Sequence, residues 1–158
     1  MEKWRNPCVV NNGIYIEASS IEKGDPFTIA GRKPIEFWTK DIPASWVCVD
    51  LGPSRKLLLT HYTLRHGGDS VQDFLRNWAL QASDDNGASG WTILQRQRDN
   101  SNLHFQFASH TWTVTTCSKP YRYFRILQTG RSASNRNFLS ISGMELYGEL
   151  YEHKLNLS

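Results

Sequence analysis

The chain has 158 residues, 39% of them hydrophobic and 12% aromatic, which suits one domain with a sizeable core and excludes a disordered chain. The formal net charge of +3 is too small to indicate nucleic acid binding, although eleven of the 18 cationic residues are Arg. No apolar run approaches the roughly 18 residues of a membrane span. The first residues also lack the apolar stretch of a signal peptide, so we expect neither a membrane protein nor a secreted precursor.

Alternating apolar and polar residues predict short β-strands in the first half of the chain. The first strand covers residues 14–18 and precedes a long segment rich in Gly and Pro. The next two strands cover residues 46–51 and 57–64. The turn Gly52-Pro53-Ser54 lies between them, which indicates a β-hairpin.

The second half continues in the same pattern. Strands are predicted at residues 75–82, 91–94, 111–115, 121–128 and 138–148. In the last of these the apolar phase slips at Gly143, which indicates a β-bulge. Residues 70–76 are long enough for one helical turn, and no amphipathic helix of 12 residues is visible.

About eight short strands with turns between them predict an all-β fold, specifically a jelly-roll β-sandwich of antiparallel strands. No linker or change of composition interrupts the sequence. We therefore expect residues 1–158 to form a single domain with its core at about 14–150. Residues 1–13 and 151–158 are expected to be flanking segments.

Three widely spaced cysteines, Cys8, Cys48 and Cys117, argue against both a disulfide scaffold and a zinc ribbon. We expect reduced thiols in an intracellular, cytoplasmic protein. A bridge from Cys117 to Cys8 or to Cys48 stays open for a mature extracellular module. Cys48 lies in a predicted strand of alternating apolar and polar residues, where a thiol packed in the interior is common.

Several segments resemble a known family. The pattern Trp46-x3-Asp50-Leu51-Gly52 resembles a strand and turn of galactose-binding-like, discoidin-type sandwiches (coagulation-factor C-type-like domains). Four further segments resemble the branch found in BTB-domain adaptors and HECT-type ubiquitin ligases, which is sometimes grouped with the SUN domain. They are THYTLRHG at 60–67, RNWALQASDD at 76–85 with WTIL at 91–94, YRYFRI at 121–126, and LSISGMELYG at 139–148.

The resemblance covers roughly residues 14–150 and implies a galactose-binding-domain-like fold. Such sandwiches bind sugars, lipids, peptides or proteins, so the resemblance says more about fold than about ligand. The first long loop, which in the family can hold calcium, here has Asp25 as its one carboxylate between residues 24 and 32. We therefore expect no inherited calcium site and no cofactor.

Candidate catalytic groups are sparse. The five histidines fit no zinc-binding spacing, and neither a nucleophile elbow nor a phosphate-binding glycine loop is present. Asp84 and Asp85 are adjacent but occupy a turn, where Asp commonly bonds its own backbone. We therefore predict no catalytic residue, no metal ligand and no enzymatic activity for this domain.

Counting alternating strand directions predicts where the loops gather. The long loops 20–45, 65–74, 95–110 and 129–137 should lie at one end, and the tight turns and both termini at the other. Long loops on a rigid scaffold are a common place for binding residues. The predicted ligand-binding residues at this end are Trp38, Arg65, His66, Arg131 and Arg136.

The sequence therefore predicts a non-catalytic module that binds a protein or peptide, such as a ligase substrate, within a ubiquitin-ligase or BTB-adaptor protein. This places it in the ubiquitin conjugation pathway, with neither nucleic acid nor a membrane span involved. A carbohydrate-binding module is the first alternative. A SUN-like oligomeric domain that binds a peptide is the second.

Overall fold

The structure is a computed structural model that describes residues 13–68 and 72–153. Eight β-strands and one short 3₁₀ helix form in these two segments. The strands are β1 (Tyr15–Ala18), β2 (Trp46–Asp50), β3 (Arg55–His66), β4 (Trp78–Ser83), β5 (Thr92–Gln97), β6 (Ser109–Thr113), β7 (Tyr123–Gln128) and β8 (Ile141–Glu152), and the 3₁₀ helix is Pro26–Ala30.

The strands form two antiparallel sheets. One has five strands in the order β1-β2-β7-β4-β5, and the other has three in the order β6-β3-β8. Every strand pair is antiparallel. The predicted all-β sandwich of about eight antiparallel strands is confirmed. No helix in the described segments is long and apolar enough to cross a membrane.

Apolar side chains from both sheets meet in one core. In the five-stranded sheet, Val49 pairs with Phe124 on the inner face, and both are buried. In the three-stranded sheet, Tyr62 is fully buried and stacks on Trp112, with ring centroids 5.2 Å apart. Trp78 Nε1 donates to the Tyr62 hydroxyl at 3.1 Å, so the polar atoms of these two rings are hydrogen-bonded inside the core.

The predicted bulge at Gly143 is confirmed. Arg65 pairs with Gly143 and His66 with Ile141, so Ser142 has no partner residue in the register. A Cβ on Gly143 would lie 2.9 Å from the Arg65 guanidinium, which crosses it. A glycine is therefore needed where the arginine side chain passes over the strand.

Some predicted bounds differ from the structure. β4 begins at Trp78 rather than at residue 75, and β8 continues to Glu152, into the predicted flanking segment. The 3₁₀ helix was not predicted; Asp25 caps it by accepting from the Phe27 amide at 3.2 Å. Of the predicted helical turn at 70–76, residues 70 and 71 lie outside the described segments, and residues 72–76 form no helix.

The antiparallel registers place the connections as the strand count predicted. Segments 19–45, 67–68 with 72–77, 98–108 and 129–140 follow strands that run in one direction and lie together; we call this the loop end. Segments 51–54, 84–91 and 114–122 lie at the opposite, turn end. The start of β1 and the end of β8 are also at the turn end, since Tyr15 pairs with Asp50 and Glu152 with Arg55.

Candidate functional site

Hydrogen bonds hold the segments of the loop end together. The Thr39 amide donates to the Leu139 carbonyl at 3.1 Å, and the Leu139 amide donates to the Thr39 hydroxyl at 2.9 Å. The Asp41 carboxylate accepts from the Asn137 amide at 2.6 Å. The first and last loops are therefore fixed to each other, and the surface they form is rigid enough to be a binding site.

Asn77, in the second loop-end segment, joins it to the third and fourth segments. Its Nδ2 donates to the Arg131 carbonyl at 3.0 Å, and its Oδ1 accepts from the Asp99 amide at 2.9 Å. Its carbonyl accepts from the Thr129 amide at 3.0 Å. Gly130 lies against it, because a Cβ there would be only 3.1 Å from the Asn77 Cβ. Since both ends of its amide are engaged, Asn77 shapes the site rather than offering a free group to a ligand.

A cavity of about 290 Å³ lies beside Asn77. We call it the arginine pocket; its lining residues are Asn77, Arg96, Gln97, Arg98, Asp99 and Thr129. Arg96 lies opposite Ala79 in the β4–β5 register, on the outer face of the five-stranded sheet. The pocket therefore lies where this outer face meets the loop end.

The arginines of the loop end divide into two groups. Arg76 is held by the Arg131 carbonyl at 3.1 Å and by Asp99 at 3.6 Å, and Arg136 is held by Asp41 at 3.6 Å. By contrast, the guanidinium groups of Arg96, Arg98 and Arg131 make no hydrogen bond or ion pair with any residue in 13–68 or 72–153, and all three residues are exposed. Two of these three line the arginine pocket, and the third joins it through its backbone bond to Asn77.

Two predicted site residues point into the protein. Arg65 donates to the Ser142 carbonyl at 2.8 Å, to the Ser142 hydroxyl at 3.0 Å and to the Lys33 carbonyl at 3.0 Å. Burial lowers the pKa of this guanidinium, and the nearby Glu145 charge partly opposes the shift. His66 is 0% exposed. His66 is thus closed to a ligand at the surface, and the half-buried Arg65 guanidinium is already bonded to acceptors of the protein.

The other three predicted residues are not brought together. Trp38 is half-buried, bridges Lys23 and Ser140, and has the Lys23 ammonium 4.9 Å from its ring centroid. Arg136 is exposed but paired with Asp41. Arg131 is exposed, and its backbone borders the arginine pocket. Trp38 lies with the first loop and β8, away from the pocket lining.

The sequence-based site omitted residues that the structure places at its centre. Arg96 and Arg98 were both assigned to a loop, but β5 continues to Gln97, so Arg96 lies in the strand and Arg98 directly after it; both line the arginine pocket. Asn77 lies within the segment 76–85 that resembles the family, and this resemblance was the sequence signal that could have identified it.

Elsewhere, strongly perturbed groups are structural. Burial raises the pKa of the Cys48 thiol to about 12, and burial likewise raises the pKa of the Tyr62 hydroxyl to about 12. A thiol with that pKa is almost fully protonated at neutral pH and a poor nucleophile. Within residues 13–68 and 72–153, no three His, Cys, Asp or Glu side chains are grouped so that they could hold a metal ion.

Known structures and proteins define the class of the chain. A carbohydrate-binding module of Clostridium perfringens, CBM32-5, in complex with GalNAc-β-1,3-galactose, superposes with a TM-score of 0.67 at 11% identity. The match covers 87% of this chain and 96% of that one. The chain thus has the galactose-binding-like β-sandwich fold that the sequence resemblance implied.

In sequence, the chain is similar to E3 ubiquitin-protein ligase Ufd4 of Drosophila melanogaster, with 40% identity over 157 residues and 93% of this chain covered. It is also similar to the BTB/POZ domain-containing protein At2g30600 of Arabidopsis thaliana, with 36% identity over 110 residues and 66% of this chain covered. The chain spans 6% of the ligase and 13% of the BTB/POZ protein. No protein-family model matches the chain.

Proposed function

We propose that this domain is a non-catalytic recognition module that binds a protein or peptide through its loop end. We further propose that it acts within an intracellular ubiquitin ligase or BTB-adaptor protein, where a ligase substrate is a fitting partner. The similarity to a ligase and to a BTB/POZ protein supports this setting. The observation that carries the proposal is the set of three exposed arginines at the loop end that have no partner among the described residues, two of which line one cavity.

The charge of this surface favours a protein ligand. Guanidinium groups with no internal partner form strong, geometrically defined bonds with carboxylates. A neutral sugar would accept hydrogen bonds from them but would leave their positive charge uncompensated. The Trp38 ring, a possible stacking platform for a sugar, is half-buried and has the Lys23 ammonium near it.

A carbohydrate ligand is the second candidate. It is favoured by the fold likeness to modules solved with galactose and with the Lewis b antigen, which match with TM-scores of 0.65 and 0.66. Their identities to this chain are 17% and 19%, so the likeness concerns the fold. The two candidates differ in ligand class and can be separated by one pair of binding selections.

The test is to offer the 158-residue protein a random peptide display library and, separately, a glycan array. We expect enriched peptides whose affinity falls about 5- to 150-fold in Arg131→Ala, since losing a charge-assisted contact costs about 1–3 kcal/mol. Lys119→Ala is the matched control at the turn end, where Lys119 pairs with Asp84 at 3.2 Å. Glycan binding alone, or peptide binding lost only in the Lys119 variant, would refute the proposal.

A further inference from the structure

We propose that the arginine pocket selects an acidic peptide segment, held in extended conformation with carboxylates at alternate positions. This inference rests on the proposed function and names the ligand chemistry of the same site. The residues that carry it are Arg96 and Arg98, which line the pocket, and Arg131, whose carbonyl is bonded to Asn77.

The spacing of the two lining arginines sets the spacing of the ligand. Arg96 lies in β5 and Arg98 directly follows its last residue, Gln97, and both line the same pocket. A strand rises about 3.3 Å per residue, which puts their Cα atoms about 6.5 Å apart. An extended peptide repeats its side chains on one face at the same interval. Acidic residues at positions i and i+2 of such a peptide would therefore meet one guanidinium each.

The unpaired charge in the arginine pocket is positive. Asp99, the one carboxylate in the lining, pairs with Arg76 at 3.6 Å, so its negative charge is offset within the protein. Neither Arg96 nor Arg98 forms an ion pair with a carboxylate among the described residues. Their mutual repulsion is relieved when carboxylates bind between them, and this favours an anionic ligand over a neutral one.

The pocket is already organised to receive such a ligand. Asn77 Nδ2 and Oδ1 are engaged by Arg131 and Asp99. Gln97 donates to the Gln95 side chain at 3.0 Å and accepts from Asn100 at 2.9 Å. Because these walls are fixed by internal bonds, little ordering remains when a ligand binds, and the guanidinium groups are the charged donors that recognise it.

The pocket volume is consistent with side chains rather than a whole small molecule. At about 290 Å³ it is at the lower limit of pockets that enclose a drug-sized ligand. Two carboxylate side chains with the peptide backbone outside the cavity fit this size. An acidic oligosaccharide shares the carboxylate chemistry, so it is the competing ligand that the experiment must separate.

The test is fluorescence anisotropy with labelled octapeptides in which Glu alternates with Ser, in 50 mM and 500 mM NaCl. The matched peptide carries Gln in place of Glu, and an oligogalacturonate of similar charge is the carbohydrate arm. We expect the Glu peptide to bind, the Gln peptide to bind at least 10-fold more weakly, and the higher salt to weaken binding by a similar factor. The oligogalacturonate should bind more weakly than the Glu peptide.

Variants locate the binding. Arg96→Gln and Arg98→Gln are each expected to weaken the Glu peptide 5- to 20-fold, and Arg98→Lys by less, because it keeps the charge but not the bidentate fork. Lys119→Gln, at the turn end, should stay within twofold. Both arginines are exposed, so melting curves of the variants should match those of the unsubstituted protein.

Three outcomes would overturn the inference: equal binding of the Glu and Gln peptides, unchanged binding by the Arg96→Gln/Arg98→Gln double variant, or binding of oligogalacturonate alone. Failure of this inference can be distinguished from failure of the proposed function. If display selection yields peptides that lack acidic residues yet depend on Arg131, the loop end is a peptide site and only the acidic preference is wrong. If no peptide depends on the loop end, both proposals are wrong.

Discussion

Replacing Arg65 by Met should destabilise the domain without acting on ligand contacts. The β3–β8 register skips Ser142, and the Ser142 carbonyl instead accepts from Arg65 Nη2 at 2.8 Å. Arg65 Nε also donates to the Ser142 hydroxyl at 3.0 Å. Other guanidinium bonds reach carbonyls of residues 31–33 in the first loop. The Arg65 side chain thus donates hydrogen bonds to Ser142 in the β-bulge and fixes the first loop to this bulge.

The magnitude follows from which acceptors are left without a donor. Ser142 is fully buried, so its carbonyl would lose its donor where water does not reach, at about 1–3 kcal/mol. The charge-assisted bond to the Ser142 hydroxyl adds about 1.5 kcal/mol or more. The loop carbonyls lie in a more exposed segment, where water replaces the donor at little cost. Because Met keeps the apolar stem, we expect a loss of about 3 kcal/mol in the free energy of unfolding.

For a domain of this size, that loss lowers the Tm by about 6–12 °C. Differential scanning calorimetry of Arg65→Met, Arg65→Lys and Arg131→Met measures it. Arg65→Lys should give a smaller loss, because an ammonium keeps the charge but reaches fewer acceptors. Arg131→Met should leave the Tm within about a degree, since its guanidinium has no partner among the described residues. Equal Tm values for Arg65→Met and Arg131→Met would refute the structural role of Arg65.

Two further predictions concern the thiols and a turn. Because its pKa is near 12, the Cys48 thiol should react with iodoacetamide at pH 8 at least 100-fold more slowly than the half-buried Cys117. Peptide mass spectrometry measures the two alkylation rates. Comparable rates would contradict the burial of Cys48. Gly52→Ala should destabilise the protein by at least 1 kcal/mol more than Gly90→Ala in chemical denaturation. Both glycines have positive φ, but a Cβ on Gly52 would lie 2.6 Å from the Gly13 carbonyl oxygen, whereas nothing lies within 4 Å at Gly90. Similar losses for the two would mean that the close approach is relieved by a small backbone shift.

The alternation of apolar residues was enough to find the strands, because side-chain direction in a strand is a local property with period two. The slip at Gly143 revealed the bulge for the same reason. The position of the long loops followed from counting strand directions alone. Helix Pro26–Ala30 was missed because it is a single turn held by one Asp25 cap, and no periodicity marks so short an element.

The site was harder to predict, because the availability of an arginine depends on contacts distant in sequence. Arg65 ends a strand next to a long loop, as an exposed binding residue would, but its partners are at residues 31–33 and at Ser142. Among the described residues Arg96 and Arg98 have no such partners, and nothing in the local sequence separates them from Arg65. The sequence located the loop end. It could not distinguish the arginines whose guanidinium groups are bonded within the protein from those with no partner among the described residues.

The two ends of the described chain flank a single turn. Gly13 lies against Gly52, and the Arg55 side chain is 3.7 Å from Glu152 in an ion pair, so the chain arrives and leaves on either side of residues 52–55. A fold with neighbouring ends can be spliced into a surface loop of another protein without stretching either partner. It also suits circular permutation, with new ends opened in a turn such as 84–91. A protein joined in this way would be connected to the sandwich at the turn end. The loop end would then lie about one strand length away, on the opposite side.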